Sequence, residues 1–123
     1  MRISNNLLIF AAIIVIHMIV TFEETYLCCL YEKGSTDDKK HRYQPQIIRG
    51  YQKGIKFMKF AKRPDDLRRI NSLNFEALHG DKEGKFSIRA NDKYRIEFTI
   101  DENLETPVLT VCNITELSNH YKK

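Results

Sequence analysis

Residues 85–100, KFSIRANDKYRIEFTI, constrain this chain more than any other stretch. Phe86, Ile88 and Ala90 alternate with Lys85, Ser87 and Arg89, and Tyr94, Ile96, Phe98 and Ile100 alternate with Arg95, Glu97 and Thr99. A period of two marks strands with one buried face. Asn91-Asp92-Lys93 is the polar break between them and has the residue types that turns favour. With those three residues as the loop, Ile88 faces Ile96, Phe86 faces Phe98, and Arg89 stands opposite Arg95 on the other face. Like charges paired across strands are destabilising. Two guanidiniums on one face therefore suggest a bound anion, and the planar donor fork of Arg suits phosphate. The ordinary alternative is that both arginines turn to solvent or pair with Glu97 and other acids.

The chain has 123 residues, enough for one compact domain but not two. At 42% hydrophobic and 29% charged residues it should fold rather than stay disordered. A net charge of +4 conceals a segregation of charge. From Lys39 to Arg69 there are eleven basic residues against two acidic ones, while the remainder carries nine basic and fourteen acidic residues. Such a basic block points to a polyanionic partner, most simply nucleic acid and next a membrane surface. The three cysteines, Cys28, Cys29 and Cys112, form no CxxC spacing and no Cys/His cluster. They read as reduced, largely buried thiols of a cytoplasmic protein, with no metal site.

The N-terminal run LLIFAAIIVI, Leu7 to Ile16, is continuous and apolar. It resembles a signal-peptide core, yet Arg2 is the only basic residue before it and no small-x-small cleavage site follows. It is short for a bilayer span, and His17 follows it. Translation from Met18 would instead begin MIVTFEE, a good first strand. Residues 1–17 are read as an upstream extension outside the fold and residues 18–123 as the domain. A membrane anchor and an export signal remain the alternatives.

Beyond the leader, Ile19 to Phe22 reads as a strand, and Cys28 to Tyr31 as its extension or a separate edge segment. Gly34 to Arg42 is a polar loop. Pro45 suits the first turn of a helix, where its missing N–H costs nothing. Ile47, Tyr51, Ile55 and Met58 then recur at helical spacing through Lys62, with Arg49, Lys53, Lys56, Lys59 and Arg63 on the opposite side. That charged stripe has one sign and no Asp or Glu to pair with it, which suggests an electrostatic contact surface rather than a merely solvated face. Gly50 and Gly54 weaken the helix by about 1 kcal/mol each relative to Ala, and suggest close packing of a neighbouring element. Pro64 opens a second short helix running to about Asn71. Ser72 to Gly84 is a connector, Val108 to Ile114 a third strand of the C-terminal sheet, and Thr115 to Lys123 a short helix or tail. The order β–α–α–β–β–β is an α+β fold, a small sheet with two helices packed on one face.

The string EALHGDKEGKFSIRANDKYRIEFTI, followed by VLTVCNITELSNHY, resembles the core of the RelE superfamily of bacterial toxins. The pattern L-x-G-x-x-x-G-x-x-S-I-R-x-N-x-x-Y-R-I-x-F is most similar to the HigB branch. The resemblance spans roughly Met18 to the C-terminus and implies a small, mainly antiparallel sheet with two N-terminal helices. It also implies a ribosome-dependent endoribonuclease that cuts mRNA, with an adjacent antitoxin as partner. Arg89 matches the family's central phosphate-contacting arginine, and Arg95 a second, frequently basic position. Glu76, before Ala77-Leu78, resembles the catalytic glutamate of the YoeB branch, and His120-Tyr121 its C-terminal His-Tyr. Many HigB toxins end their last strand in Asp-Tyr-His; here Asn113-Ile114-Thr115 holds that place.

The chemistry follows from RNA itself. Its 2′-OH attacks the adjacent phosphate once deprotonated and aligned, which needs a base, an acid for the leaving 5′-oxygen, and positive charge on the transition state. Glu76 is the expected base, Arg89 and Arg95 the charge, His120 the acid, with His79, close to Glu76 in sequence, and His41 as other candidates for that role, and Tyr121 a stacking or orienting group. Lys82 and Lys85 assist on the backbone, and Arg49, Lys53, Lys56 and Lys59 bind ribosomal RNA. No cofactor or metal is required, and no membrane partner is expected of a chain starting at Met18. The competing classes are a non-catalytic RNA-binding module that uses the basic helix alone, and a membrane-anchored small protein. A chain shortened to begin at Met18 should melt in one cooperative transition. Insolubility of that chain, beside a well-folded full-length one, would place the leader inside the fold.

Overall fold

The computed structural model describes residues 18–102 and 110–119. The leader, the Pro107-Val108 approach to the last strand, and the His120-Tyr121 pair lie outside those residues. The described elements are β1 (Ile19–Phe22), α1 (Thr25–Glu32), α2 (Pro45–Phe60), α3 (Pro64–Arg68), β2 (Glu76–Ala77), β3 (Phe86–Arg89), β4 (Tyr94–Asp101) and β5 (Val111–Asn119). Single 3-10 turns occur at Lys39–His41, Asn71–Leu73 and Gly80–Lys82. The strands form one sheet in the order β1-β5-β4-β3-β2, antiparallel throughout except for the parallel β1–β5 edge. The α+β class and the mainly antiparallel sheet are as the sequence suggested.

The hairpin has the register that its alternation demands: Phe86 faces Phe98, Ile88 faces Ile96, and Arg89 faces Arg95. Asn91 makes the turn, its side-chain oxygen accepting from the N–H groups of Lys93 and Tyr94 at 2.9 and 2.8 Å. Ile88, Ile96 and Phe98 are fully buried against Tyr51, Ile55 and Met58 of α2 and Leu27 and Leu30 of α1. Phe75 and Phe86 close one end of this core around Phe98, with ring centroids about 6 Å apart.

The sequence reading needs correction in three places. Thr25–Glu32 is a helix, not a strand extension, and it buries Tyr26, Leu27 and Leu30 at helical spacing. Tertiary contacts override the β preference of Tyr and Cys here. The Tyr51 hydroxyl donates to the Leu27 carbonyl at 2.7 Å, and the Gln52 amide donates to the Leu30 and Tyr31 carbonyls at 3.3 and 3.1 Å. The Gln52 bonds satisfy acceptors that the end of a short helix would otherwise leave open, and the Tyr51 bond ties the middle of the helix to α2. The two helices on the sheet are therefore α1 and α2, and α3 is a single turn beyond them. Second, the connector from Ser72 contains a two-residue edge strand, β2, paired with Phe86 and Ser87. Third, residues 115–119 continue β5 rather than forming a helix or tail. Phe98 pairs with Ile114 but Glu97 pairs with Glu116, so Thr115 is an extra residue at a bulge. The bulge shifts the alternation by one and returns Leu117 to the core beside Ile114. Without that shift the strand pattern stops at Ile114, which is where the sequence reading ended it.

Both helix glycines lie where α2 meets the sheet. A Cβ on Gly50 would stand 2.0 Å from the Ala90 carbonyl oxygen, and one on Gly54 2.6 Å from the Ile96 Cδ1. The first obstacle is backbone and cannot turn aside. Gly50→Ala should therefore lower stability by about 1–3 kcal/mol, as overpacking does, despite a helix-propensity gain of about 1 kcal/mol. Urea unfolding of the two proteins measures the difference, and a stabilised variant would disprove the close approach.

Candidate functional site

The sheet face away from the helices is polar, and the strand registers arrange it in two rows. Glu76, Ser87, Glu97 and Glu116 are successive partners across β2, β3, β4 and β5. Arg89, Arg95 and Ser118 are successive partners across β3, β4 and β5. Each is on this face because its neighbours in sequence fill the core and side chains alternate along a strand. The bulge at Thr115 brings Glu116 and Ser118 into phase with the rest.

A row of three carboxylates repels itself, and two cations compensate it. Arg95 reaches from its own row to the other. Its Nη2 donates to the Asn74 carbonyl at 2.6 Å and to Ser87 Oγ at 3.0 Å, and lies 3.2 Å from Glu76 Oε1. Asn74 is in the left-handed region at φ 47°, and its side-chain amide also donates to Glu76 Oε1, at 3.2 Å. Lys82 comes from the turn between β2 and β3. Its ammonium donates to Glu97 Oε2 at 2.6 Å and lies 3.8 Å from Glu116 Oε1. Ser118 Oγ donates to the same Glu97 oxygen at 2.6 Å. Arg95 and Glu97 are only 6% and 4% exposed, in the middle of a central strand. Arg95 Nε and Glu97 Oε1 are buried and find no hydrogen-bond partner among the described residues. Burial works to depress the pKa of Lys82, but the hydrogen bond and charge of Glu97, with Glu116 behind it, outweigh that and raise it above the ordinary lysine value.

This geometry joins some of the expected site residues and separates others. Glu76 and Arg95 form a direct pair, and Arg89 is next to Arg95 in its row. The expectation of two guanidiniums facing a vacant anion position does not hold. Arg95 is buried on Glu76, whereas Arg89 is exposed and ion-paired with Asp92. The alternative of pairing with acids is the one realised, although Glu97 is not the partner of either. Lys82, expected to assist on the RNA backbone, is bonded to Glu97. Lys85, half-buried, immediately precedes β3. Arg49, Lys53, Lys56 and Lys59 are exposed along α2, which covers the other face of the sheet. Lys59 also lies over the Tyr31 ring, 4.6 Å from its centroid. Lys53 of the stripe and Arg89 of the polar face line a common cleft of about 240 Å³ at the β3 edge, with Gly50, Ser72 and Asn91 among others. His120 and Tyr121 lie outside the described residues, just past Ser118 and Asn119.

The sequence reading missed Asn74, Ser87, Glu97 and Ser118 as members of the site. One signal was available for Glu97: it and Arg95 are charged residues at alternate positions inside a strand flanked by strands on both sides. Among the described residues no three His, Cys, Asp or Glu side chains are grouped so as to hold a metal ion. The thiols are free: Cys112 is buried beside Met18, which pushes its pKa up to about 12, and Cys28 and Cys29 are half-buried.

Comparison with known proteins agrees with this architecture. Residues 20–109 match a family described as the RelE-like toxin of type II toxin-antitoxin system HigB. Toxin HigB-1 of Vibrio cholerae serotype O1 is 35% identical over 83 residues, covering 66% of this chain and 82% of that toxin. The solved structure of a YoeB/ParE toxin from Agrobacterium tumefaciens superposes with a TM-score of 0.50 at 14% identity, over 85% of this chain and 100% of that one. At that identity the likeness concerns the fold.

Lys82→Met should destabilise the fold by about 1–3 kcal/mol, since it leaves the buried Glu97 short of a donor, with the lower end favoured by the partial exposure of Lys82. A pKa raised by folding means that Lys82 stabilises the protein fully below its unfolded pKa, near 10.5, and that the contribution disappears as pH rises through the higher folded value. The stability gap between the two proteins should therefore be constant at neutral pH and narrow only in strong alkali. A gap that closes between pH 6 and 8 would contradict this assignment.

Proposed function

Because this chain belongs to the RelE-like HigB toxins of type II toxin–antitoxin systems, we propose that it cuts mRNA on the ribosome without a metal, by driving attack of an RNA 2′-OH on the neighbouring phosphate. The observation that carries this reading is the pairing of Glu76 with Arg95 on a polar sheet face, with Arg89 in the adjacent position. Glu76 has an exposed carboxylate oriented by Arg95 and Asn74. It takes the 2′-OH proton as that oxygen bonds to phosphorus. The phosphorus–O5′ bond then breaks, and His120 gives the leaving oxygen a proton. The products are a 2′,3′-cyclic phosphate and a 5′-hydroxyl. Arg89 exchanges its exposed Asp92 partner for the phosphate and stabilises the charge that develops there. Tyr121 orients or stacks on the substrate, and Lys82 and Lys85 support the backbone.

The stripe Arg49, Lys53, Lys56 and Lys59 binds ribosomal RNA through phosphate contacts, and its cleft with Arg89 leads from that surface to the polar face. As a type II toxin the protein has an antitoxin as its partner. The reading places its action in the cytoplasm, where ribosomes and mRNA are, and the domain at residues 18–123. Among the described residues no helix is long and apolar enough to cross a membrane.

Ribosome-dependent cleavage of a defined mRNA tests the assignment. Glu76→Gln should lower the rate about a hundredfold or more, the range for loss of a general base. Arg89→Ala should cost a similar factor through lost transition-state charge, and Arg89→Lys should restore only part, because it keeps charge but not the fork. Cleavage should persist in EDTA once the ribosomes are shown to be intact. Neutralising the α2 stripe should flatten the salt dependence of ribosome binding, by somewhat under one log unit per lost contact. Full activity of both Glu76→Gln and Arg89→Ala would overturn the roles given to these residues, and ribosome binding by the unsubstituted chain without any cleavage would leave an RNA-binding module instead.

A further inference from the structure

The cleavage chemistry above gives no task to the most deeply placed acid on the polar face, Glu97. A buried carboxylate is costly unless paired and hydrogen-bonded, and replacing such pairs with apolar residues is often neutral or stabilising. Its presence in a central strand is therefore not explained by stability alone. The two halves of its ion pair differ: the Glu97 side chain is 5% exposed, whereas that of Lys82 is 42% exposed. The acid is set into the sheet and the ammonium stands above it, facing out.

We propose that Glu97 is a positioning residue, which pins the Lys82 ammonium over the polar face so that it meets the RNA phosphate beside Glu76 and Arg89. The proposal rests on the nuclease reading and deepens it. A free lysine has a flexible four-carbon stem and is a poor fixed charge. Here its position is determined at both ends. The backbone end is held in the Gly80–Lys82 turn, between Gly80 and Gly84, whose φ angles are +66° and +91°. The ammonium end is held by Glu97 at 2.6 Å, and Glu97 is itself held by Ser118 at 2.6 Å on the same oxygen. The registers set Glu97 one residue pair from Ser87 and two from Glu76 in the same row, so the anchored charge shares the face that carries the proposed base. An ammonium has three donors. Glu97 takes one, and Glu116 at 3.8 Å adds charge without a hydrogen bond, so donors remain for a phosphate oxygen. Preorganised charge of this kind acts on the transition state without reorganisation.

The full chain tests this with Glu97→Gln, which keeps shape and the acceptor for Ser118 but loses the charge. Single-turnover cleavage on ribosomes should slow roughly 10- to 100-fold, as for a misplaced catalytic group, while half-saturation for ribosomes is unchanged. Lys82→Arg should retain part of the rate. Glu97→Gln combined with Lys82→Met should lose no more than Lys82→Met alone, since the acid acts through the lysine. An alkaline NMR titration of Lys82 in the free protein should have a lower midpoint in Glu97→Gln, and thermal melting of each variant excludes collapse. Full-rate cleavage by Glu97→Gln, multiplying losses in the double variant, or an unmoved Lys82 midpoint would each overturn the proposal. If the unsubstituted chain cleaves no mRNA on ribosomes while its Lys82 titration still responds to Glu97→Gln, the nuclease reading fails, and the positioning role fails with it.

Discussion

Strand β4 is buried on both faces, and the two faces make opposite demands. Ile96 and Phe98 require an apolar cover, which α1 and α2 supply. Arg95 and Glu97 require partners for charge, because an uncompensated buried ion costs several kcal/mol. Much of the rest of the molecule meets these two demands. The turn at Asn74 offers a carbonyl to Arg95, β2 brings Glu76 to it, and the 3-10 turn after β2 delivers Lys82 to Glu97. β5 contributes Ser118, in phase only because of the bulge. Segments that look like mere connection between helix and hairpin are thus counterions and hydrogen-bond partners of one strand.

The hairpin was legible because its information is local. Alternation fixes which face is buried, and a short polar turn fixes the register, so the pairing of Ile88 with Ile96 follows from adjacent residues alone. The helical stripe of α2 was legible for the same reason, and its two glycines marked the close approach to Ala90 and Ile96. What could not be read depends on distant residues. Thr25–Glu32 becomes a helix with its carbonyls bonded to Tyr51 at Leu27 and to Gln52 at Leu30 and Tyr31, some twenty positions away. The partners of the two arginines could not be chosen either: several acids were available, and only the fold brings Glu76 to Arg95 and leaves Arg89 with Asp92. Glu97 was visible as an acid, but its burial and its hold on Lys82 were not.

Charge is divided between two sides of the sheet. The α2 stripe is uncompensated and exposed, suited to long-range attraction that falls with salt. The polar face is compensated internally, with Arg95 and Lys82 set among three carboxylates. Attraction and chemistry are therefore built from different residues, and they meet at the β3 edge, where Lys53 and Arg89 line one cleft. That edge is open there because β2 pairs only with Phe86 and Ser87.

The extra residue at Thr115 has a consequence for how tolerant this strand is to change. It works as a reading-frame marker for side chains: upstream of it even-numbered positions of β5 point to the helices, and downstream odd-numbered ones do. A substitution in β5 alters one contact, but the loss or gain of one residue on either side would exchange inside and outside for the whole distal segment, burying Glu116 and Ser118 and exposing Leu117. The strand can therefore vary in composition far more freely than in length.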